Sequence, residues 1–407
     1  MKTEVSAILV LPNSTKLVSL DVAGRVVGDF LTESVSNIEG ADLKVLKGGD
    51  TAVLAGSLSS QPSLVFPFSP SALQELSARD ILIIDARAWI PDPLLPNLLA
   101  RARSARRGLR LGDNRRGDQP SVTIAIALVA GQITPTFLLQ ARTAQGSGLE
   151  GILSAEMLAN TRPIEATDLD ASKSALLVES YADLSSIERN VLLDRANNAM
   201  LAGVRVRDPH QCWIRGELVC GSDVEIEPNV IFEGRVVLGS GVKIGANCII
   251  KESEIGANTL INPFSLIEGA TVGMSGIVGP YGRIRPGSVI ADAVQIGNYV
   301  EIKNSEIGSR SRINHHAFIG DATVGEDVTV GAGTITCNHD GVRINRTVIE
   351  RGAYVGSGCN LVAPLRVGER ATIGAGSTIT EDVPGMKLTL ARPRQMIIER
   401  WRGPRRD

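Results

Sequence analysis

From Leu238 onward an aliphatic residue followed by glycine recurs: Leu238-Gly239, Ile244-Gly245, Ile255-Gly256, Val272-Gly273, Val278-Gly279, Ile296-Gly297, Ile307-Gly308, Ile319-Gly320, Val324-Gly325, Val330-Gly331, Val355-Gly356, Val367-Gly368 and Ile373-Gly374. Nearly all the intervals are multiples of six with single-residue slips. A hexapeptide period predicts a parallel β-helix in which six residues make one short strand and a corner, and three such units close a triangular coil. The aliphatic residue is expected to fill the axis and the glycine to permit the turn. Aromatic content of 3% with 42 glycines fits thin, tightly stacked coils better than packed layers of large side chains. So narrow a coil leaves little room inside for a ligand. Function is therefore expected on the outer faces or between neighbouring copies associated around a three-fold axis.

The rhythm breaks once, between Val330 and Val355, over VGAGTITCNHDGVRIN. An insertion rich in Asn338, His339, Asp340 and Arg343 on a rigid scaffold is a reasonable place for a binding site. Upstream, Ser185–Gly203 reads as a helix. Ser185 with Glu188 suggests a capping box, Ile187, Val191, Leu192 and Met200 an apolar stripe, and Gly203 a stop.

Residues 1 to 178 have a different pattern. Ala7–Leu11 and Asp80–Ile84 are short apolar runs suited to buried parallel strands, and Leu94–Arg107 follows the second as a helix. Val122–Ala130 is the longest apolar stretch, about half of the roughly 20 residues a membrane helix needs, and reads as a buried strand. The N-terminus has only about five apolar residues in a row, short for a signal peptide, so a cytoplasmic protein is expected. This half carries no GxGxxG motif and no P-loop. Forty-two Lys plus Arg against 44 Asp plus Glu leave no global basic field for nucleic acid. Cys212, Cys220, Cys248, Cys337 and Cys359 contain no CxxC pair and read as reduced packing thiols.

The segments MLAGVRVRDP, GVKIGANCIIKESEIG, GRIRPG, IGNYVEIKNSEIG, FIGDATVGEDVTVGAGTITCNHDG, VGSGCNLVAPLRVG and ATIGAGSTITEDV resemble the bifunctional N-acetylglucosamine-1-phosphate uridyltransferase/glucosamine-1-phosphate acetyltransferase family, from about Glu179 to Trp401. The resemblance implies an α/β nucleotidyltransferase-like, Rossmann-like N-terminal domain (1–178), a connecting helix (179–205), a left-handed parallel β-helix acetyltransferase domain of hexapeptide repeats (206–390) and a basic tail (391–407). It also implies a homotrimer, and a loop extruded after GAGTITCN that closes over the active site.

Acetyl transfer from a thioester to an amine needs a base and dipoles for the oxyanion. In NHHAFIG the axis positions fall on Ile313, Ala317 and Ile319, which puts His315 and His316 at a corner. The resemblance makes His315 the base, with His316 ancillary. It places Arg285 and Lys303 on the substrate phosphate, and Asn338 and His339 beside the sugar. Phe318 stands where the family has tyrosine, Thr329 where it has asparagine, and Ile344 where the extruded loop has lysine, with Arg343 or Arg346 as candidate replacements for that charge. Ala332, Ser357, Ala375 and Arg392 match the acetyl-CoA positions. No metal is expected in this half, because an adjacent histidine pair and a third 23 residues later lack ligand spacing.

The first domain departs from the family. The glycine-rich loop after the first strand is missing, although Lys16 lies near the family's lysine. Arg87 falls near the metal-binding aspartate, with Asp85 a displaced candidate. Ala182 falls near the asparagine ahead of the connecting helix. The expectation is an acetyl-CoA-dependent N-acetyltransferase acting on an amino-sugar phosphate, most simply glucosamine 1-phosphate, in UDP-N-acetylglucosamine and cell-envelope precursor synthesis. Uridyl transfer is expected to be lost, so Mg2+ would be needed only if the first domain were active. The alternatives are a fully bifunctional enzyme and a non-catalytic paralogue.

Overall fold

The structure, a computed structural model, describes residues 175–399 continuously. N-terminal to them it describes 5–10, 21–22, 25–26, six positions within 31–38, and 41–46, 63–64, 80–85, 88–112, 123–128 and 161–164. Two compact units divide at Val191/Leu192.

In the first unit the strands of the main sheet are β1 (Val5–Val10), β2 (Ala41–Leu46), β3 (Ser63–Leu64), β4 (Asp80–Asp85), β5 (Gly108–Gly112), β6 (Thr123–Leu128) and β7 (Thr161–Ile164), in the order β7-β5-β6-β4-β1-β2-β3. All pairs are parallel except those of β6, which runs antiparallel to both β4 and β5. The apolar runs predicted as strands are β1, β4 and β6, and β4 is fully buried. Helix α1 (Leu94–Ala105) buries Leu94, Leu95, Leu98, Leu99 and Ala102 along one face, and Arg106 closes it in a left-handed conformation. The chain moves to opposite sides of β1 with β2 and β4, so the sheet's topological switch lies there. Asp85, buried, ends β4 beside Val10 at that point.

Helix α2 (Tyr181–Leu201) begins earlier than the sequence suggested. Asp183, rather than Glu188, closes the capping box. Its carboxylate accepts from the main-chain N–H groups of Glu179 and Ser180 and from the Ser180 hydroxyl, while Ser180 Oγ accepts from Asp183 N. The reciprocal geometry of S-x-x-D serves as well as S-x-x-E, and Ser186 turns inward to donate to the Ala182 carbonyl. Gly203, at φ 97, ends the helix with Gly203 N to Met200 O and Val204 N to Ala199 O, as expected.

The second unit is the β-helix. One face is an 11-stranded parallel sheet from Arg205–Val206 to Leu388–Thr389; the other two faces form a continuous 17-stranded parallel sheet. Val278 pairs with Ile296 and Ile296 with Ile313, so a coil is 18 or 17 residues, which explains the slips in the sequence period. The axis is a continuous stack of Ile and Val, and Ala196 from α2 belongs to the same core at its N-terminal end. Ile313, Ala317 and Ile319 are buried, as the period predicts.

The repeated glycines have a different reason from the one expected. Gly256, Gly331 and Gly356 have ordinary φ, but a Cβ on them would lie 2.5 Å from the backbone of the next coil. Close stacking therefore requires glycine there. Positive φ falls two residues later, on residues such as Asn247, Asn258 and Tyr299.

At the gap, Val330 pairs with Val355, 25 residues on, and Ala322 pairs with Thr347. The extra seven or eight residues leave the prism at the corner between the second and third faces, after Cys337, and the coil resumes at Thr347. Among the described residues no helix is long and apolar enough to cross a membrane.

Candidate active site

Stacking turns residues 17 or 18 apart, or 25 across the gap, into neighbours, and it sorts the candidate residues other than Thr329 into two groups at two corners. At the corner between the first and second faces, Gly333 N donates to the carbonyl oxygens of His315 and His316, Gly358 N to Ala332 O, and Gly376 N to Ser357 O. Arg392 Nη1 then donates to Ala375 O at 3.0 Å. His315, Ala332, Ser357, Ala375 and Arg392 thus form one column running up a single edge. Gly333, Gly358 and Gly376, all at positive φ, keep the neighbouring column free of side chains.

His315 ends a first-face strand, exposed, with Nδ1 2.7 Å from Asn298 Oδ1 one coil below. With the amide oxygen as acceptor, this contact assigns the proton of the neutral ring to Nδ1 and leaves Nε2 as the nitrogen that can accept one. His316, at φ 45, stacks on Tyr299 with ring centroids 4.9 Å apart. Tyr299 stacks on Tyr281 and Tyr281 on Phe264, so His316 caps an aromatic ladder and supports the corner. Thr329 lies on the first face between Arg312 and Tyr354.

The second group lies at the other edge of the second face. Arg285 Nη1 is 2.9 Å from Glu301 Oε1, and Lys303 Nζ is 3.6 Å from Asp321 Oδ2. Lys303 pairs in register with Gly320, where a Cβ would fall 2.6 Å from the Phe318 ring and 3.0 Å from Asn338 Nδ2. Lys303, Phe318 and Asn338 therefore converge over Gly320. Only glycine leaves room for the ring. Asp321 is buried, which pushes its carboxyl up, but hydrogen bonds from Asn304 and Asn338 and the charge of Lys303 outweigh this and hold it below the ordinary range.

The inserted loop is a short hairpin. Asn345 N donates to Asn338 O, His339 bridges Ile344, and the Asp340 carboxylate accepts from Val342 N, Arg343 N and Asn345 Nδ2. His339 is exposed and its Nδ1 accepts from Gly341 N. Arg346 does not supply the missing loop charge within this site: its guanidinium is committed to Thr323 Oγ1 and Glu306 on the third face. Arg343 has an exposed side chain on the hairpin.

Sequence reasoning missed Asn298, Glu301, Gly320 and Asp321. The 17-residue spacing from Asn298 to His315 and from Asn304 to Asp321 to Asn338 was the available signal. The cysteines behave as packing residues: Cys212, Cys248 and Cys359 are buried, and burial, with a smaller contribution from Cys220, pushes the Cys212 thiol up to about 12. No group of three or more His, Cys, Asp or Glu suited to a metal occurs among the described residues. Lys16 and Arg87 lie outside the described residues; Ala182 is exposed in the first turn of α2.

Residues 214–298 match the family model of the GMPPB C-terminal domain. The bifunctional protein GlmU of Azoarcus sp. is 49% identical over 235 residues, 58% of this chain and 52% of that protein. GlmU of Methylococcus capsulatus is 50% identical over 242 residues, covering 59% and 52%. GlmU of Acidithiobacillus ferrooxidans is 36% identical over 390 residues, covering 93% of this chain and 82% of that protein. The chain therefore matches about half the length of the first two relatives and most of the third.

Proposed function

The chain belongs to the family of the bifunctional protein GlmU, and we propose that its β-helix is an acetyl-CoA-dependent N-acetyltransferase acting on an amino-sugar phosphate, with glucosamine 1-phosphate the first substrate to test. The observation that carries this reading is His315, held by Asn298 in the tautomer of a base at the foot of the Ala332, Ser357, Ala375 and Arg392 column.

In this mechanism the neutral amine attacks the thioester carbonyl carbon while His315 Nε2 takes the amine proton. The tetrahedral intermediate collapses with cleavage of the C–S bond, and the departing thiolate receives that proton from the imidazolium. Arg285 and Lys303 bind the phosphate, the first with a fork of donors and the second as a point charge. Phe318 packs against the sugar without offering a hydroxyl, and Thr329, Asn338 and His339 line the sugar side. Acetyl-CoA lies along the glycine-flanked column, with its phosphates toward Arg392.

In one chain the cations and the histidine occupy opposite edges of the second face. This division supports a homotrimer in which one copy's base corner meets another's cation edge. The half-exposed Phe264, Tyr281 and Tyr299 on the base corner are the kind of side chains such an interface covers. We place the protein in the cytoplasm, where acetyl-CoA is found.

We further propose that the first domain keeps its fold but has lost uridyl transfer. The glycine-rich phosphate loop is missing from the sequence after β1, and an arginine would repel Mg2+ near Asp85. Release of coenzyme A thiol from acetyl-CoA, measured across a panel of amino-sugar phosphates, tests the acetyltransferase. Turnover with glucosamine 1-phosphate that disappears in His315→Ala supports the proposal; no turnover with any member of the panel rejects it. Pyrophosphate release from UTP, Mg2+ and N-acetylglucosamine 1-phosphate would reject the loss of uridyl transfer.

A further inference from the structure

We propose that Asp321 is a positioning residue that fastens both ends of the inserted hairpin to the phosphate-binding lysine, so that hairpin and cation are held as one unit. The kinetic part of this proposal rests on the acetyltransferase reading; the mechanical part does not.

Asp321 occupies the last regular corner below the point where the chain leaves the prism. In the corner column Asn304 and Asp321 both sit at positive φ, 17 residues apart, and the next position in that column is Asn338, the first residue of the hairpin. The Asp321 carboxylate accepts from Asn304 Nδ2 at 2.6 Å and from Asn338 Nδ2 at 2.5 Å, with Lys303 Nζ at 3.6 Å. Its main-chain N–H donates to Lys303 O, and its carbonyl accepts from Thr347 N, where the chain returns. One residue therefore holds the departing strand, the returning strand and the lysine.

The chemistry makes this junction specific. The Asp321 side chain is only 8% exposed, and a charge so little exposed is costly unless several donors satisfy it. Three do. The loose Lys303 contact leaves that ammonium with donors to spare for a phosphate. The hairpin is one braced body whose closing bond, Asn345 N to Asn338 O, hangs on Asn338, so releasing Asn338 from Asp321 lets that bond and the Asp340 turn behind it open more often. Val342 and Ile344 at 86% and 59% exposure are carried on that body, and their placement follows the tether.

The test is amide hydrogen exchange of the full-length protein, read on peptides covering 339–346 and, as a control, on coil peptides around 295–313, for wild type, Asp321→Asn and Asn338→Ala. Both variants are expected to exchange at least tenfold faster in the hairpin with unchanged coils, and Asp321→Asn, which also gives up the carboxylate's contribution to stability, is expected to melt at a lower temperature at neutral pH. The double variant Asp321→Asn with Asn338→Asp exchanges the carboxylate and the amide across the contact and is expected to restore hairpin protection. In acetyl transfer, Asp321→Asn is expected to lower kcat/KM for the sugar phosphate by roughly tenfold or more while KM for acetyl-CoA stays unchanged. Hairpin exchange at the wild-type rate in both single variants overturns the proposal. So does a double variant that stays as fast as the singles. If Asp321→Asn does not fold, Asn338→Ala reads the same tether from the hairpin side. A wild-type protein without transferase activity would remove the acetyltransferase reading, and the exchange comparison would still decide the tether.

Discussion

His315 and Asp321 each depend on a neighbour one coil away. Asn298 fixes the tautomer of His315, so its loss frees the ring to rotate and to expose the wrong nitrogen. Asn298→Ala is expected to lower kcat by about tenfold or more with little change in either KM, as read by steady-state thiol release. His315→Ala is expected to lower kcat by roughly 10²- to 10⁴-fold while isothermal titration still detects coenzyme A, because the column above it is untouched. Asp321 adds a pH dependence. Its folded carboxyl lies below its unfolded value, so the stability it contributes is present above an ordinary aspartate pKa of about 3.9 and is lost as pH falls through the lower folded value. Melting temperatures between pH 6 and pH 3 are expected to fall less steeply in Asp321→Asn than in wild type; equal slopes would show that this carboxylate does not contribute.

The coil and the hairpin respond differently to change because they store stability differently. A coil is held by tight backbone contact. At Gly297 a Cβ would lie within the van der Waals radius of the Asn314 carbonyl, next to His315, so Gly297→Ala must push that strand outward. Overpacking of this kind costs roughly 1–3 kcal/mol, and a lowered melting temperature with lost turnover is the expected result. The hairpin lies outside the ladders: Ala322 to Val324 pair directly with Thr347 to Ile349 beneath it. Replacing 339–345 with a minimal turn is therefore expected to leave the melting temperature nearly unchanged while removing sugar-phosphate turnover. A large loss of stability would mean that the hairpin is part of the prism's support. The repeat announced the coils and the gap announced the hairpin. Its braced form was not legible, because Asp340 acts through hydrogen bonds to residues two, three and five positions on that no periodic pattern records. The capping of α2 was misread for a similar reason, since Ser180-Asp183 and Ser185-Glu188 satisfy the same local rule.

For the whole molecule, the separation of His315 from Arg285 and Lys303 within one chain leads to the expectation of a trimer. Native mass spectrometry should give about three times the 43.1 kDa protomer mass, and mixing inactive His315→Ala with inactive Lys303→Ala subunits should recover activity at mixed sites; a monomer fully active at low concentration would contradict it. The sequence by itself determined the prism, since a six-residue period with apolar axis positions has one economical solution, and it pointed to His315, Arg285, Lys303 and Arg392 as candidates for the chemistry. Its short apolar runs, the second followed by a helix, also marked the first domain as α/β. Only the tertiary structure decided which residues share an edge. Stacking converts sequence separations of 17, 18 or 25 into contacts of a few ångströms, and so joins Asn298 to His315, Phe318 to Gly320, and Asp321 to Asn338. It also turned Arg346 toward Glu306 and away from the candidate site, because where an extruded chain re-enters a coil is set by the ladder it must rejoin.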